Sequence, residues 1–198
     1  MQTNKLGAAC AARLDALCVR LGFGQPLNIP EYQLRGRWRF WAGNLIRRKP
    51  HLVIHQDGEI NGTGKVYMRR WWLLPKNRWL NVYLHCFDGP DHSPLLHDHP
   101  YDNVSIILRG GYIEKLLQHD VREDIALESD RVAQFPVDLV AREAGDVIVR
   151  RADSPHTIHR LLAPGTWTLF LTGPTVRHWG FHTPTGWKFW KTHLGVEA

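Results

Sequence analysis

The sequence is short of the features that would mark several common protein classes. No apolar run approaches the ~18 residues needed to cross a bilayer, and the N-terminus lacks the unbroken apolar core of a signal peptide. A soluble, cytoplasmic protein is therefore expected, with no membrane partner. Cysteine is scarce: Cys10, Cys18 and Cys86 make an odd count and have no metal-type spacing. On one helix Cys10 and Cys18 would lie roughly 12 Å apart, at 1.5 Å per residue, which is too far to bridge. Internal repeats, low-complexity tracts and evident linkers are also missing. A chain of 198 residues, 43% hydrophobic and 22% charged, reads as one globular structural domain.

Acid is missing from one particular stretch. Residues 32–56 hold Arg35, Arg37, Arg39, Arg47, Arg48 and Lys49 with no Asp or Glu, so the formal net charge of +6 equals the charge of that segment alone. Trp38, Phe40 and Trp41 lie among these cations. Such interleaving suggests nucleic acid or anionic lipid as a partner. A surface helix that docks its aromatics on the core and leaves its arginines in solvent produces the same pattern.

The order of elements follows from periodicity. Leu6, Cys10, Leu14, Leu17, Cys18 and Leu21 recur at helical spacing, which predicts a helix over 5–21. Leu34, Trp38, Trp41 and Leu45 predict a second over 32–48, weakened by Gly36 and Gly43. From His51 the pattern changes to short strands, expected over 51–55, 66–74, 79–87, 112–118, 131–140, 146–150, 157–162, 166–172, 176–182 and 187–190, with a further strand inside 95–111. The charged segment 119–130 is expected to be a loop, and Thr183-Pro-Thr-Gly186 a turn. The result is a mainly β fold, a β-sandwich or jelly-roll barrel over 51–198, with a helical extension over 1–50 packed on it.

The chemistry-bearing residues are histidines. In LLHDHPYDNVSIILRGG, His97 and His99 are one residue apart in a run that becomes strand-like, so alternation sends both imidazoles to one side. His156 stands in a second strand-like context, and with His97 and His99 it makes a candidate metal site. Neutral imidazoles suit Fe, Zn, Cu or Ni, and three of them leave coordination positions open. By the same alternation Asn103 faces inward, Asp98 and Asp102 face outward, and His159 has the wrong parity to join His156. Arg70, Tyr83 and His85 fall on candidate inner faces of neighbouring strands. An arginine there is costly unless paired, so Arg70 either binds a substrate carboxylate or phosphate, pairs with a local acid, or faces solvent. Arg177, Trp179 and His182 are candidate rim residues.

Two stretches resemble the paired motifs of the cupin superfamily. His97-Asp98-His99 ends at Gly110 or Gly111 with the first motif's spacing, and Gly145 and His156 fit the second. The motif's glutamate is replaced by Asn103 or Val104, its leading glycine by Asp91, and its later proline, glycine and asparagine by Arg151, Asp153 and Arg160. Within the superfamily, LHCFDGPDHSPLLHDH and the stretch from Asp153 to Pro174 are most similar to the cysteine dioxygenase type. That group's cross-linking cysteine falls at Val104, and its serine-histidine-tyrosine series at Thr168, Phe170 and Thr172. The resemblance implies a double-stranded β-helix and one divalent metal, with Fe(II) ahead of Zn, Ni or Mn, held by His97, His99 and His156. Asn103, Arg70, Tyr83 and His85 are then substrate-binding residues or supports behind the ligands, and no catalytic residue is assigned. The implied activity is a small-molecule oxygenase other than cysteine dioxygenase itself. The alternatives are a metal-dependent isomerase, epimerase or hydrolase, and a non-catalytic metal- or ligand-binding cupin whose basic segment 35–49 contacts a partner or nucleic acid. A homodimer is a further expectation.

Overall fold

The computed structural model describes residues 37–56, 60–61, 63–118 and 137–195. The expected helix over 5–21, the expected loop over 119–130, Cys10 and Cys18 lie outside these residues. Helix α1 spans Arg37–Ile46, shorter than the predicted 32–48, of which 32–36 fall outside the description. Among the described residues eleven strands follow: β1 (Leu52–His55), β2 (Val66–Trp72), β3 (Asn81–Phe87), β4 (Asn103–Arg109), β5 (Gly111–Leu117), β6 (Val137–Glu143), β7 (Val147–Arg150), β8 (His156–Leu161), β9 (Thr166–Thr172), β10 (Gly180–Thr183) and β11 (Gly186–Phe189). A short helix α2 (Trp190–Leu194) comes last. No helix among the described residues is long and apolar enough to cross a membrane.

All the pairings are antiparallel. One sheet has six strands in the order β1-β2-β3-β9-β4-β7, and it faces a smaller sheet ordered β6-β5-β8. The hairpin β10-β11 continues the smaller sheet through one residue, His97, which bridges to His156 of β8 and to Phe181 of β10. This is the mainly β jelly-roll barrel that the strand series predicts.

The six-stranded sheet turns its polar side inward. On β9 the buried residues are Thr166, Thr168, Phe170 and Thr172, whereas Trp167, Leu169 and Leu171 on the other face are only half-buried. On β3 Asn81, Tyr83 and His85 are buried and Val82 and Leu84 are half-buried. Register carries this across the sheet: Arg70 pairs with His85, His85 with Thr168, and Thr168 with Ile107. That polar row lies between two apolar clusters. Met68, Phe87, Ile107, Tyr112, Ile148 and Ile158 fill one end of the barrel. Leu52, Trp72, Tyr83 and Phe170, with Trp41 of α1 and Tyr101 against them, fill the other. Helix α1 is fastened there because Trp41 Nε1 donates to Trp72 O at 2.9 Å.

A buried ion cluster ties the sheets together. Glu114 of β5 is fully buried, with Arg142 Nε of β6 donating to its Oε2 at 3.0 Å. Arg150 of β7, nearly as buried, reaches across from the larger sheet to Oε1. Removing one partner of such a pair leaves an uncompensated buried charge, which costs about 3–5 kcal/mol. Glu114→Gln keeps the side chain's size and strands Arg150. Urea denaturation at neutral pH should show a loss of stability in that range; an unchanged midpoint would show that Arg150 needs no partner.

Candidate metal centre

The first ligand segment differs from the expected strand. His97 occupies a single bridge and His99 a loop, and β4 begins only at Asn103. The alternation survives because His97 is extended between two strands. Its N–H donates to His156 O at 2.9 Å, and His156 N–H returns to His97 O at 3.0 Å. This reciprocal pairing puts the two side chains on the same side of the sheet. His99 is held by its own N–H on Ala152 O at 3.1 Å.

The three rings converge. One ring nitrogen from each of His97, His99 and His156 lies within 4.8 Å of the others. His99 Nε2 and His156 Nε2 are 3.3 Å apart. His156 Nδ1 faces Ser154 O at 3.4 Å, which leaves Nε2 as the free lone pair. Burial holds His99 well below the ordinary imidazole pKa, helped by the nearby His97, Arg150 and Arg70, with Asp98 opposing. His156 is lowered likewise, first by burial and then by Arg150, His97 and His99. Both are neutral at neutral pH, the form that binds a metal ion.

Two acids position the ligand segment from behind. Asp98 points away from the rings, as alternation requires, and is completely buried. It accepts from Gly180 N at 2.7 Å, Trp187 Nε1 at 2.9 Å and Arg177 at 2.9 Å. Burial by itself would raise its pKa, but these donors, with His182 Nε2 3.6 Å away, bring it below the usual carboxylate value. Gly180 fits this contact because a Cβ there would sit 2.1 Å from Lys188 O. Asp91 accepts from Tyr67 Oη, from Thr157 Oγ1 at 3.1 Å and from Ile158 N at 2.6 Å. Its Oδ2 is 4.0 Å from His97 Nδ1. Asp91 had no signal in the sequence beyond occupying the motif's glycine position. Asp102 is exposed and accepts from Ala152 N at 2.7 Å, bracing the start of β4 against the end of β7.

Asn103 faces inward and is buried; its Nδ2 lies 3.4 Å from Tyr101 O, and its Oδ1 has no partner. Tyr101 and Phe170, neither of them expected at the site, flank His99 at ring distances of 5.9 and 6.0 Å. Beyond Phe170 lie Tyr83, His85 and Arg70. Arg70 is half-buried, donates Nε to His85 Nε2 at 2.9 Å, and sits 5.0 Å over the Tyr83 ring. It has no carboxylate partner among the described residues. Burial lowers His85 strongly, and Arg70 and His99 lower it further. Of the rim candidates, Trp179 packs on His97 at 6.3 Å, and so does Phe181, which was not among them, at 6.0 Å. Arg177 and His182 instead face Asp98. His159 is exposed on the outer side.

No protein-family description and no curated protein matches the chain. Among solved structures, KdgF from Halomonas sp. matches at 15% identity over 54% of this chain and 78% of its own, with a TM-score of 0.38. A cupin superfamily protein from Desulfitobacterium hafniense DCB-2 matches at 14% identity over 54% and 77%, again at 0.38. An RmlC-like cupin from Shewanella frigidimarina NCIMB 400 matches at 15% over 54% and 76%, at 0.35. In this barrel the histidine cluster spans both sheets, with His156 on the smaller one and His99 leading into the larger.

Neutral, buried histidines make an acid-sensitive apoprotein. With folded pKa values below the ordinary 6.5, the unfolded chain takes up protons first as the pH falls, so stability is complete above about pH 6.5 and declines below it. Denaturation of chelator-treated protein at pH 7 and pH 5 should show this decline, and His156→Gln should flatten it. An equal decline in the variant would place the acid sensitivity elsewhere.

Proposed function

We propose that this protein is a mononuclear metal-dependent enzyme acting on a small anionic molecule, and specifically an Fe(II)-dependent oxygenase. The observation that carries the reading is the donor set: three imidazoles in mutual reach, with no carboxylate among them, beside an arginine that has no acid partner among the described residues. His97, His99 and His156 would hold the ion. A ferrous ion bound there would supply redox chemistry towards O2 together with a Lewis-acid contact for the substrate.

The chain's own residues supply binding and orientation. Arg70 spends Nε on His85, which keeps its two terminal nitrogens for a carboxylate or phosphate. His85 is uncharged and so accepts from Arg70 without repelling it. Burial raises the pKa of the Tyr83 and Tyr101 phenols, with Arg70 offsetting only part of the rise. Both keep their protons at neutral pH and are donors for an anion. Phe170 and Tyr101 against His99, and Trp179 and Phe181 against His97, restrict water around the rings.

Protein purified from iron-supplemented cells should contain close to one equivalent of iron, and His97→Ala should lose at least about nine-tenths of it, because two imidazoles bind far more weakly than three. Unchanged content in the variant would remove His97 from the ligand set. O2 uptake dependent on iron and a small acid would support the oxygenase. Turnover with Zn or Mn and no O2 uptake would replace it with Lewis-acid chemistry.

The metal-loaded protein should also melt at higher temperature in millimolar succinate or inorganic phosphate, and Arg70→Met should abolish the shift. Arg70→Lys should retain only part of it, since an ammonium cannot make the forked contact. A shift of equal size in Arg70→Met would mean that the anion sits elsewhere.

A further inference from the structure

The basic segment has a structural neighbour that the sequence does not reveal. Strand β1 starts, β2 ends and β3 starts at the same end of the six-stranded sheet, because Leu52 pairs with Arg70 and Trp72 with Tyr83. The link from α1 to β1 and the turn from β2 to β3 therefore emerge side by side. They do so at the end where β4 begins and β9 finishes, which is the end of the histidine cluster. The link carries Arg47, Arg48 and Lys49, and the turn carries Arg78; all four are exposed, and none has a carboxylate partner among the described residues. Residues 37–56 and 63–87 contain no Asp or Glu at all. Among the described residues, the exposed acids at this end are Asp102 and Asp153, beyond β9 on the β4-β7 side, and Asp138, on the smaller sheet; Asp153 is paired with Arg151, and Asp138 accepts from Gln118 Nε2 at 3.2 Å.

Large apolar side chains are exposed among these cations. Ile46 is 82% exposed, Leu80 46%, Trp79 46% and Leu74 39%. Both segments are held in one shape. In the turn, the Asn77 side chain accepts from Trp79 N at 2.9 Å and Leu80 N at 3.0 Å and donates to Pro75 O and Leu80 O. Asn77 and Asn81 also bond reciprocally, at 2.9 Å each way. In the link, Arg48 ends α1 in the left-handed region at φ 56, and its carbonyl accepts from Trp71 Nε1 at 3.2 Å.

We propose that this end of the barrel docks on an anionic lipid surface, with Arg47, Arg48, Lys49 and Arg78 meeting the headgroups and Ile46, Leu74, Leu80 and Trp79 entering the interface. Charge complementarity names an anionic partner. The exposed aliphatics decide which one. Isoleucine and leucine gain from burial below headgroups, whereas a nucleic acid would be met by aromatic platforms and cations, with nothing for aliphatic side chains to bury against. The absence of a spanning segment bears on insertion across a bilayer, and surface docking requires none. Docking this way would bring the end of the barrel that holds the histidines towards the lipid.

The test is flotation of the metal-loaded protein with vesicles of phosphatidylcholine alone and of phosphatidylcholine with 30% phosphatidylserine. Binding should be at least about tenfold stronger to the anionic vesicles, given four cations near the surface. The triple variant Arg47→Ser, Arg48→Ser, Arg78→Ser should lose that preference. The double variant Ile46→Ser, Leu80→Ser should keep it at low salt and lose binding at 0.5 M NaCl, a probe concentration at which screening is strong. All the substituted side chains are exposed, and circular dichroism with metal content checks that the variants fold. Binding to neither vesicle, equal binding to both, or an unchanged triple variant overturns the proposal. Saturable binding to a single-stranded oligonucleotide without vesicle binding overturns it in favour of nucleic acid.

Discussion

Everything at the candidate centre depends on one pair of backbone hydrogen bonds, those exchanged by His97 and His156. Side-chain clusters are ordinarily fragile because each member must give up rotamer freedom to join. Here two of the three imidazoles are set by main-chain pairing, and the third follows two residues later with its own N–H fixed on Ala152. The same residue extends the smaller sheet to the C-terminal hairpin. Asp98 closes the arrangement from the opposite side, where its three donors all come from that hairpin or the segment leading into it. The ligands are therefore part of the sheet framework rather than additions to it.

That framework explains how far the sequence could be read. Most strand positions and the convergence of His97, His99 and His156 were legible because alternation and motif spacing are local properties, but the strand expected over 176–182 begins only at Gly180. The inward orientation of Asn103, Tyr83 and His85 was legible for the same reason. A strand for the H-x-H segment was not correct in detail: a residue can be extended and paired for a single bridge, which leaves no periodic trace. Asp91 and the Glu114–Arg150 pair were illegible, since Asp91 joins residues 24 and 67 positions away, Glu114 and Arg150 are 36 apart, and neither forms a motif. Tyr101 carried no signal in the sequence, and Phe170 stood only in the series of the resembled family; their contacts with His99 appear only in the structure.

The polarity of the larger sheet is a further consequence. A strand such as Thr166–Thr172 looks, by composition, as though its tryptophan and leucines should face the core. Instead the threonines and Phe170 do. Thr168 Oγ1, Thr172 Oγ1 and Asn103 Oδ1 are buried without a protein partner among the described residues. With Arg70 and its neighbour His85 they give the barrel a polar interior row.

The hairpin contacts to Asp98 also say something about how the molecule is made. Asp98 is joined to Gly180 and Trp187 across 82 and 89 positions of chain. Contacts of such separation close large loops, and they form late because the entropy of closure must be met before any contact rewards it. The ligand segment is thus anchored to chain more than eighty residues away, so a change in the hairpin would reach His97 through Phe181 and Asp98.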